Sequence, residues 1–408
     1  MVKINNTRLL SLLHDFAQFG RTENDGVTRL TLSDEDKQAR DHFVQLALQA
    51  GFSVKIDPIG NIFVRREGKR PELAPLLIGS HGDSQPLGGR YDGIYGVLAG
   101  LEVLLSLNDQ HIETERPIDL VMWTNEEGAR FAPAMMGAAV FTGKLSLEDA
   151  YNKQDKDGIT VKSELARIGY LGKDDFSDYN PFAALEIHIE QGPILERNHT
   201  DIGVVTGALG QKWYQIQLDG LASHAGTTPM NMRQDAGIGM AEAMLKFNEL
   251  GLKEIENQGR VTIGSIQLTP NSPNVIPGRA NFTLEVRHPD QGALNCIDRD
   301  IRQIVADISD KYQLKANINQ VVQLAPLQFD QKLISTIRET VKQLGYSWEN
   351  IVSGAGHDSC HLNSKMPTAM IFIPCIDGLS HNEQENITDE WCEKGGNVLL
   401  NSVLALAK

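Results

Sequence analysis

The chain has 408 residues, of which 41% are hydrophobic and 22% are charged, and its net charge is −15. This composition is that of a folded globular protein and excludes disordered and fibrous classes. The length is sufficient for two domains, since single cores seldom exceed about 250–300 residues. The negative charge disfavours nucleic acid as a partner, and an anionic substrate would need a local cation.

The N-terminal stretch MVKINNTRLLSLLHDF lacks the long apolar segment of a signal peptide and is interpreted as an amphipathic helix. No run approaches the roughly 20 apolar residues that a membrane span needs. The four cysteines, Cys296, Cys360, Cys375 and Cys392, show no C-x-x-C spacing, which favours free thiols in a reducing compartment. We therefore expect a cytoplasmic protein that does not associate with membranes.

The first half of the chain alternates short apolar runs with helical patterns. A helix is predicted over residues 33–51, where Ser33 and Asp36 resemble a capping box, and others over residues 94–107 and 162–168. The predicted strands are SVKI, NIFVRR, APLLIGS, PIDLVMW and AALEIHI. This alternation is typical of an α/β sheet with parallel strands.

The pattern changes after the glycine-bearing stretch IGVVTGALGQ. The predicted elements are then the strand KWYQIQLDG, a helix over 235–250, the strands VTIGSIQLTP and RANFTLEVR, a helix over 291–312 and the strand ANINQVVQL. This order is that of a ferredoxin-like α+β domain. The α/β pattern resumes with a helix from about residue 329 to 344, the strand TAMIFIP and a helix from about 389. We predict one domain from residues 1–209 and 327–408, with residues 210–326 inserted as a second.

Chemically versatile side chains follow four of the predicted strands of the first domain. They are His81 and Asp83 after APLLIGS, Glu126 and Glu127 after PIDLVMW, His188, Glu190 and Gln191 in and after AALEIHI, and His381 after TAMIFIP. In open α/β sheets ligands bind at the carboxyl ends of strands, so these residues should converge. Imidazoles and carboxylates together match the ligand set of Zn²⁺. Taken singly, the glutamate pair also fits a solvated turn, and His188 also fits a hydrogen-bonded core histidine.

Four carboxylates near these strands have distinct expected roles. Asp92, in the glycine-rich loop GGRYDGIYG, is suited to bridging two metals about 3.5–4 Å apart. Glu126 and Glu127 are consecutive, so their side chains should leave the strand end in different directions. We expect one of them to bind a metal and the other to act as general base on an attacking water. Asp83 is expected to accept the second ring N–H of His81, although a turn-capping role fits equally well.

The motifs together resemble a known enzyme family. They are GSHGDSQPLGGRYDG, TNEEGARF, EIHIEQGPILE, GLASHAGTTPMNMRQDA, SPNVIPG, LEVRHP, SGAGHDSC and DGLSHNE. In this order, over nearly the whole chain, they resemble the amidase/hydantoinase/carbamoylase branch of the binuclear zinc exopeptidase-like hydrolases. Within this branch the chain looks most similar to β-ureidopropionases and N-carbamoyl-L-amino acid hydrolases. The resemblance implies a catalytic domain with a mixed, mostly parallel sheet and an inserted lid and dimerisation domain.

The resemblance also implies a role for each metal-site residue. The implied ligands are His81, His188 and Asp92 for one ion, and Asp92, Glu127 and His381 for the other. Two Zn²⁺ per subunit are expected, with Mn²⁺ or Co²⁺ as alternatives, and Glu126 is the implied general base. Gly82 departs from the family pattern, because relatives usually carry a larger apolar residue there.

The implied substrate contacts come from both domains. Gln191 would bind the ureido group, and His224 would stabilise the oxyanion. Asn274 and Arg287 would hold the substrate carboxylate, Arg287 through a two-pronged contact, although a surface ion pair also fits Arg287. His224 and Asn274 would come from the partner subunit of a homodimer. His357 and Asp358 are expected near the substrate, although a structural turn also explains the glycines of SGAGHDSC.

The implied reaction is hydrolysis of N-carbamoyl-β-alanine or of N-carbamoyl-L-α-amino acids to the amino acid, CO2 and ammonia. An allantoate amidohydrolase is the first alternative, and a dipeptidase or aminopeptidase of the same fold is the second. A metal-free dimeric scaffold is an alternative from another class, but the complete ligand set argues against it. The expected partners are therefore a small-molecule substrate and a second copy of the chain.

Overall fold

The computed structural model describes residues 1–408, which form two compact units. The larger comprises Met1–Thr206 and Phe329–Lys408, and the smaller comprises Gly207–Gln328. The boundaries predicted at residues 209–210 and 326–327 differ from these by three and two residues. None of the helices combines the length and the apolar character that crossing a membrane requires.

The N-terminal part of the larger unit contains seven helices and six strands. In chain order they are α1 (Asn6–Phe16), α2 (Asp34–Gln49), β1 (Ser53–Ile56), β2 (Ile62–Arg66), β3 (Leu76–His81), α3 (Ile94–Asp109), β4 (Ile118–Trp123), α4 (Met136–Phe141), α5 (Leu147–Tyr151), α6 (Val161–Ile168), β5 (Ala183–Ile189), α7 (Ile194–Arg197) and β6 (Ile202–Ala208). Helix α2 begins as its sequence predicts, because the Ser33 side chain accepts the N–H of Asp36.

The smaller unit and the C-terminal part of the chain follow. The smaller unit contains β7 (Gly210–Asp219), β8 (Ser223–His224), α8 (Ala236–Lys253), β9 (Arg260–Thr262), β10 (Ile266–Thr269), β11 (Val275–Ile276), β12 (Arg279–His288), α9 (Gln291–Tyr312), β13 (Lys315–Leu324) and β14 (Leu327–Gln328). The C-terminal part contains α10 (Gln331–Leu344), β15 (Trp348–Ser353), α11 (Asp358–Leu362), β16 (Thr368–Ile373) and α12 (Asp389–Leu406).

The sheet of the larger unit has the strand order β1-β2-β4-β3-β5-β16-β6, and β15 also pairs with β6. The four central strands, β4, β3, β5 and β16, are parallel, whereas β1, β2 and β6 pair antiparallel. Every residue of the four central strands is buried, as expected for parallel strands covered on both faces. The predicted α/β fold with a mixed, mostly parallel sheet is confirmed, and its outer strands are the antiparallel ones.

The smaller unit has an antiparallel sheet in the order β10-β12-β7-β13, which is the order of a ferredoxin-like fold. Alternate residues of β7 and β12 are buried in one core with the apolar faces of α8 and α9. The other face of the sheet therefore carries the remaining residues of these strands, including residues 279, 281, 283, 285 and 287 of β12.

Three local predictions differ from the structure. The stretch VTIGSIQLTP forms two short strands, β9 and β10, because residues 263–265, which include Gly264, leave the ladder. The stretch IGVVTGALGQ was not predicted to contain a strand, but its first residues form β6, which pairs with β16 over residues 203–205. Strand β15, WENIVS, was not predicted, since polar residues interrupt its apolar pattern.

Candidate active site

Strands β3 and β5 bring His81 and His188 to the same edge of the sheet. Their Nε2 atoms lie 3.9 Å and 3.1 Å from Oδ1 of Asp92. Nδ1 of His81 lies 3.0 Å from the carbonyl oxygen of Asp83, and Nδ1 of His188 lies 2.9 Å from that of Ile189. An Nδ1–H that donates to a carbonyl leaves the Nε2 lone pair directed into the site. Both imidazoles are therefore oriented as metal ligands.

Asp92 lies between two groups of side chains. Its Oδ1 faces His81 and His188, while its Oδ2 lies 3.1 Å from Nε2 of His381 and accepts a hydrogen bond of 3.0 Å from Gln191. The next residue, Gly93, has φ 68°, and a Cβ there would lie 2.2 Å from the His81 ring. Only glycine permits this backbone to pass so close to the imidazole. The two oxygens of Asp92 thus have the arrangement of a bridging carboxylate.

Glu126 and Glu127 follow β4 and face different groups. Oε2 of Glu126 lies 3.6 Å from Nε2 of His81, whereas Oε2 of Glu127 lies 3.4 Å from Nε2 of His381. Consecutive side chains at a strand end diverge in this way. The pair is not a solvated turn, because the side chains of both residues are less than a tenth exposed.

Asp83 orients the site through atoms other than those predicted. Its Oδ1 lies 3.6 Å from Nδ1 of His81, beyond hydrogen-bond distance, and its main-chain carbonyl takes the imidazole contact instead. The carboxylate accepts the backbone N–H groups of Glu126 and Glu127, at 3.2 and 3.3 Å. These two backbone N–H groups lie past the end of β4 and need a buried acceptor, which explains why the Asp83 carboxylate faces them and not the His81 ring.

Three further residues of the site are not singled out by the sequence patterns. Gln85 donates to Oε2 of Glu127 at 2.9 Å. Glu385 accepts the backbone N–H of Asp92 at 3.0 Å. The hydroxyl oxygen of Ser380 lies 3.2 Å from Oδ2 of Asp92 and 3.0 Å from Oε2 of Glu385, so its one proton can be donated to either carboxylate. Ser380 lies within the motif DGLSHNE, and Glu385 stands two residues after the last residue of this motif. In the sequence, a carboxylate four residues after His381 was the available signal for Glu385.

The electrostatics of the site are dominated by buried carboxylates. Burial, with Asp92 adding, raises the pKa of Glu127 to about 7, and burial raises the pKa of Glu126 well above its ordinary range. Burial would also raise the pKa of Asp92, but the imidazoles of His188 and His381 outweigh it and hold the pKa well below the ordinary range. No Lys or Arg forms an ion pair with these three carboxylates, so their charge calls for other cations.

His357 lies behind His188 and not beside the oxygens of Asp92. Its ring centroid is 4.6 Å from that of His188, and its Nε2 lies 3.0 Å from Oγ of Ser353. Burial and His188 hold the pKa of His357 well below its ordinary value. Asp358 is also buried, and no hydrogen bond reaches either of its oxygens. A direct substrate contact by His357 stays a prediction.

The remaining predicted residues belong to the smaller unit and fall into two groups. Nδ2 of Asn274 lies 3.4 Å from Nε2 of His224, and both stand five residues along the chain from the pair Asp219 and Arg279 at the start of β12. Arg287 lies near the other end of β12, where it pairs with Glu285. Eight residues separate Arg279 from Arg287, or about 26 Å at roughly 3.3 Å per residue of strand.

The residues of the larger unit fit two divalent cations. Oδ1 of Asp92 and Oε1 of Glu127 are buried oxygens that no hydrogen bond reaches. Three sets of ligand atoms lie within 4.8 Å of one another. Two of them share Asp92, namely His81, Asp92 and His188, and Asp92, Glu127 and His381, and the third is Glu186, His188 and His357. Imidazole nitrogens and carboxylate oxygens suit Zn²⁺, and Mn²⁺ or Co²⁺ can bind the same donors.

Residues 77–405 match the family model of peptidase family M20/M25/M40. The chain belongs to this family. The matched segment contains every one of the predicted metal ligands, from His81 to His381. The family resemblance predicted from the motifs is confirmed.

Similar proteins within the M20/M25/M40 family match this chain over almost its full length. An N-carbamoyl-L-amino-acid amidohydrolase of Rhizobium meliloti is 42% identical over 408 residues, which is 100% of this chain and 97% of the relative. An allantoate amidohydrolase of Bacillus subtilis is 34% identical over 403 residues, 96% and 95% of the two chains. The crystal structure of an amidase of the hydantoinase/carbamoylase family from Burkholderia multivorans has a TM-score of 0.97 and 48% identity, covering 100% and 98%.

Proposed function

We propose that the protein is a metal-dependent amidohydrolase that cleaves the carbamoyl C–N bond of N-carbamoyl-L-amino acids to the amino acid, CO2 and ammonia. The observation that carries the proposal is the carboxylate of Asp92, which lies between two sets of ligand atoms with Glu126 beside one of them. The name of the relative that is 42% identical, N-carbamoyl-L-amino-acid amidohydrolase, supports the substrate class.

Two metal ions would be held by five side chains of the larger unit. His81 and His188 would bind one ion, Glu127 and His381 would bind the other, and Asp92 would bridge them. The chemistry that two such cations supply when bound is polarisation of the carbamoyl carbonyl and of water.

Glu126 would act as the general base. Its carboxylate forms no hydrogen bond with a basic side chain, and its Oε2 lies 3.6 Å from Nε2 of His81. Burial raises the pKa of Glu126 and so makes its ionised carboxylate a stronger base, which would take a proton from water and pass it to the leaving nitrogen. Asp83 accepts the backbone N–H of Glu126 and so holds the main chain from which this side chain projects.

Gln191 would recognise the ureido group. Its Nε2 donates to Asp92, so the orientation of the amide is set by the metal site itself. Its Oε1 is buried and receives no hydrogen bond within the chain. A buried acceptor of this kind is suited to an N–H of the ureido group, which would supply the missing donor.

The smaller unit would act as a lid and would form a homodimer. Arg287 would hold the substrate carboxylate, while His224 and Asn274 would serve the active site of the partner subunit. This division is supported by β12, since positions 279 and 287 near its two ends are about 26 Å apart and one small substrate does not span that distance.

Helix α8 offers a surface for the dimer. Ile238, Leu245 and Leu252 recur at intervals of seven residues on α8 and are 50%, 68% and 57% exposed. Large apolar side chains at this spacing form one stripe along a helix, as at helix–helix interfaces. A second copy of the chain would bury this stripe.

The alternative function is hydrolysis of allantoate, which the Bacillus subtilis relative favours. The test is steady-state kinetics on several N-carbamoyl-L-α-amino acids, N-carbamoyl-β-alanine and allantoate with the metal-loaded protein. We expect the highest kcat/KM on an N-carbamoyl-L-α-amino acid. A highest kcat/KM on allantoate would replace the proposal by the alternative.

A further inference from the structure

Arg29 is a buried arginine of the larger unit that the proposed reaction does not use. Its Nη1 donates to the carbonyl oxygens of Phe16 and Phe19, at 2.9 and 3.0 Å, where α1 ends. A cation is favourable at this place, because the last carbonyl groups of a helix point towards it. Its Nε donates to the carbonyl oxygen of Gly82 at 2.6 Å. The guanidinium therefore connects the end of α1 to the residue that follows His81.

The main chain of Arg29 holds the same segment at a second point. Its backbone N–H donates to Oγ of Ser84 at 2.9 Å, and its carbonyl oxygen accepts the backbone N–H of Ser84 at 2.9 Å. Gly82 and Ser84 flank Asp83, so Arg29 holds the main chain on both sides of this residue. The carbonyl oxygen of Asp83 contacts Nδ1 of His81, and its carboxylate accepts the two backbone N–H groups past β4. A shift of this segment would therefore turn the imidazole of His81.

Resting on the proposed two-metal site, we propose that Arg29 is a positioning residue for the ion that His81 and His188 would bind. Arg29 acts through Gly82 and Asp83, because the peptide groups of these residues set the direction of the His81 ring. A hydrogen-bond partner fixes the orientation of a metal-binding histidine, and its loss typically lowers metal affinity about 10- to 100-fold. The guanidinium makes no hydrogen bond to a ligand of the other ion, whose affinity should therefore not depend on Arg29.

The test measures Zn²⁺ affinity separately at the two ligand sets, by calorimetric titration of the metal-free protein. Glu127→Gln keeps the two histidines of the first ion, and His188→Ala keeps Glu127 and His381 for the second. Arg29→Met, which removes the N–H groups of the side chain, should weaken Zn²⁺ binding about 10- to 100-fold in the Glu127→Gln background. In the His188→Ala background it should change the affinity by less than about twofold, as expected for independent sites. A merely structural role would weaken binding equally in both backgrounds.

Arg40→Met is the matched control. Arg40 is as buried as Arg29 and also donates to a main-chain carbonyl, that of Gly60, but it makes no hydrogen bond to residues 81–84. Arg40→Met should lower the melting temperature and leave the Zn²⁺ affinity unchanged in both backgrounds. An equal loss of affinity in the Arg40 and Arg29 variants would show a general effect of destabilisation and overturn the positioning role.

Ser84→Ala is a milder second variant, which removes the acceptor of the Arg29 backbone N–H. It should weaken Zn²⁺ binding in the Glu127→Gln background about 2- to 10-fold, the range of one hydrogen bond. Unchanged affinity in folded Arg29→Met, or in Ser84→Ala if Arg29→Met does not fold, would overturn the positioning role. A wild-type protein that binds no Zn²⁺ would instead overturn the proposed metal site on which the inference rests.

Discussion

Glu126 and Glu127 are adjacent carboxylates for which the site geometry predicts different consequences of the same substitution. Glutamine has nearly the same shape as glutamate, so Glu126→Gln preserves the packing of this buried side chain and removes only its capacity to take a proton. General base catalysis contributes about 10²- to 10⁴-fold, so kcat should fall by at least this factor. At about 1.36 kcal/mol per tenfold change, the activation barrier rises by roughly 2.7–5.4 kcal/mol.

The metal content separates the two variants. Glu126 faces His81 but is not a member of either proposed ligand set, so Glu126→Gln should keep two ions per chain. Glu127 belongs to the set of His381, and its replacement removes an anionic ligand. Glu127→Gln should therefore retain close to one ion per chain after dialysis and regain activity at high metal concentration.

The assay is ammonia release from an N-carbamoyl-L-α-amino acid, with elemental analysis of the same protein samples. The wild-type chain carried through the same dialysis is the control. Glu126→Gln with most of its activity intact would refute the general-base role. Glu127→Gln with two tightly held ions would refute the ligand assignment.

Three further predictions concern substrate binding, the dimer and pH. Arg287→Lys should lower kcat/KM by about 10- to 100-fold, because an ammonium lacks the two-pronged contact with the substrate carboxylate. The loss should be much smaller on a substrate whose carboxylate is capped as an amide. Equal losses on both substrates would mean that Arg287 supports the fold and does not bind the carboxylate. His224→Ala chains unfolded, mixed equally with Glu126→Ala chains and refolded should recover roughly a quarter of wild-type activity, since half of randomly paired dimers are mixed and each has one intact site. Activity no higher than the mean of the refolded parents, with mixed dimers verified by mass, would rule out a shared site. In the metal-free protein, the contribution of Glu127 to stability should fall as the pH rises from 4.5 to about 7. The reason is that folding raises the pKa of Glu127, so the unfolded chain loses the proton at a lower pH than the folded chain. A Glu127→Gln protein whose melting temperature depends on pH as that of the wild type does would contradict this.

The sequence predicted those parts of the fold in which local pattern and burial coincide. The stretches SVKI and AALEIHI form strands over the same residues, and the helix predicted over 291–312 is α9. AALEIHI is a fully buried central strand with a nearly continuous apolar run, whereas SVKI alternates exposed and half-buried residues, and both patterns are easy to recognise. Strands β6 and β15 were missed because glycines and polar residues hide their pattern, and only pairing with distant strands defines them.

For the candidate site, the sequence predicted which residues come together but not every contact that their atoms make. The positions of His81 and His381 past strand ends were sufficient to predict that they converge, 300 residues apart in the chain. The patterns did not predict that Asp83 would use its carboxylate on two backbone N–H groups, or that Glu385 would hold the loop of Asp92. Those contacts form because buried backbone N–H groups need hydrogen-bond acceptors in the folded chain, and the spacing of residues in the sequence does not indicate which acceptor each N–H group finds.

The most direct test of the central claim is a titration of the metal-free protein with Zn²⁺ while the release of amino acid and ammonia from an N-carbamoyl-L-α-amino acid is measured. The two ligand sets that share Asp92 predict that activity is absent without metal, rises with added Zn²⁺ and reaches its plateau at two ions per chain. The two products should appear in equal amounts. Full activity without metal, or no amino acid released at two bound ions per chain, would contradict the account.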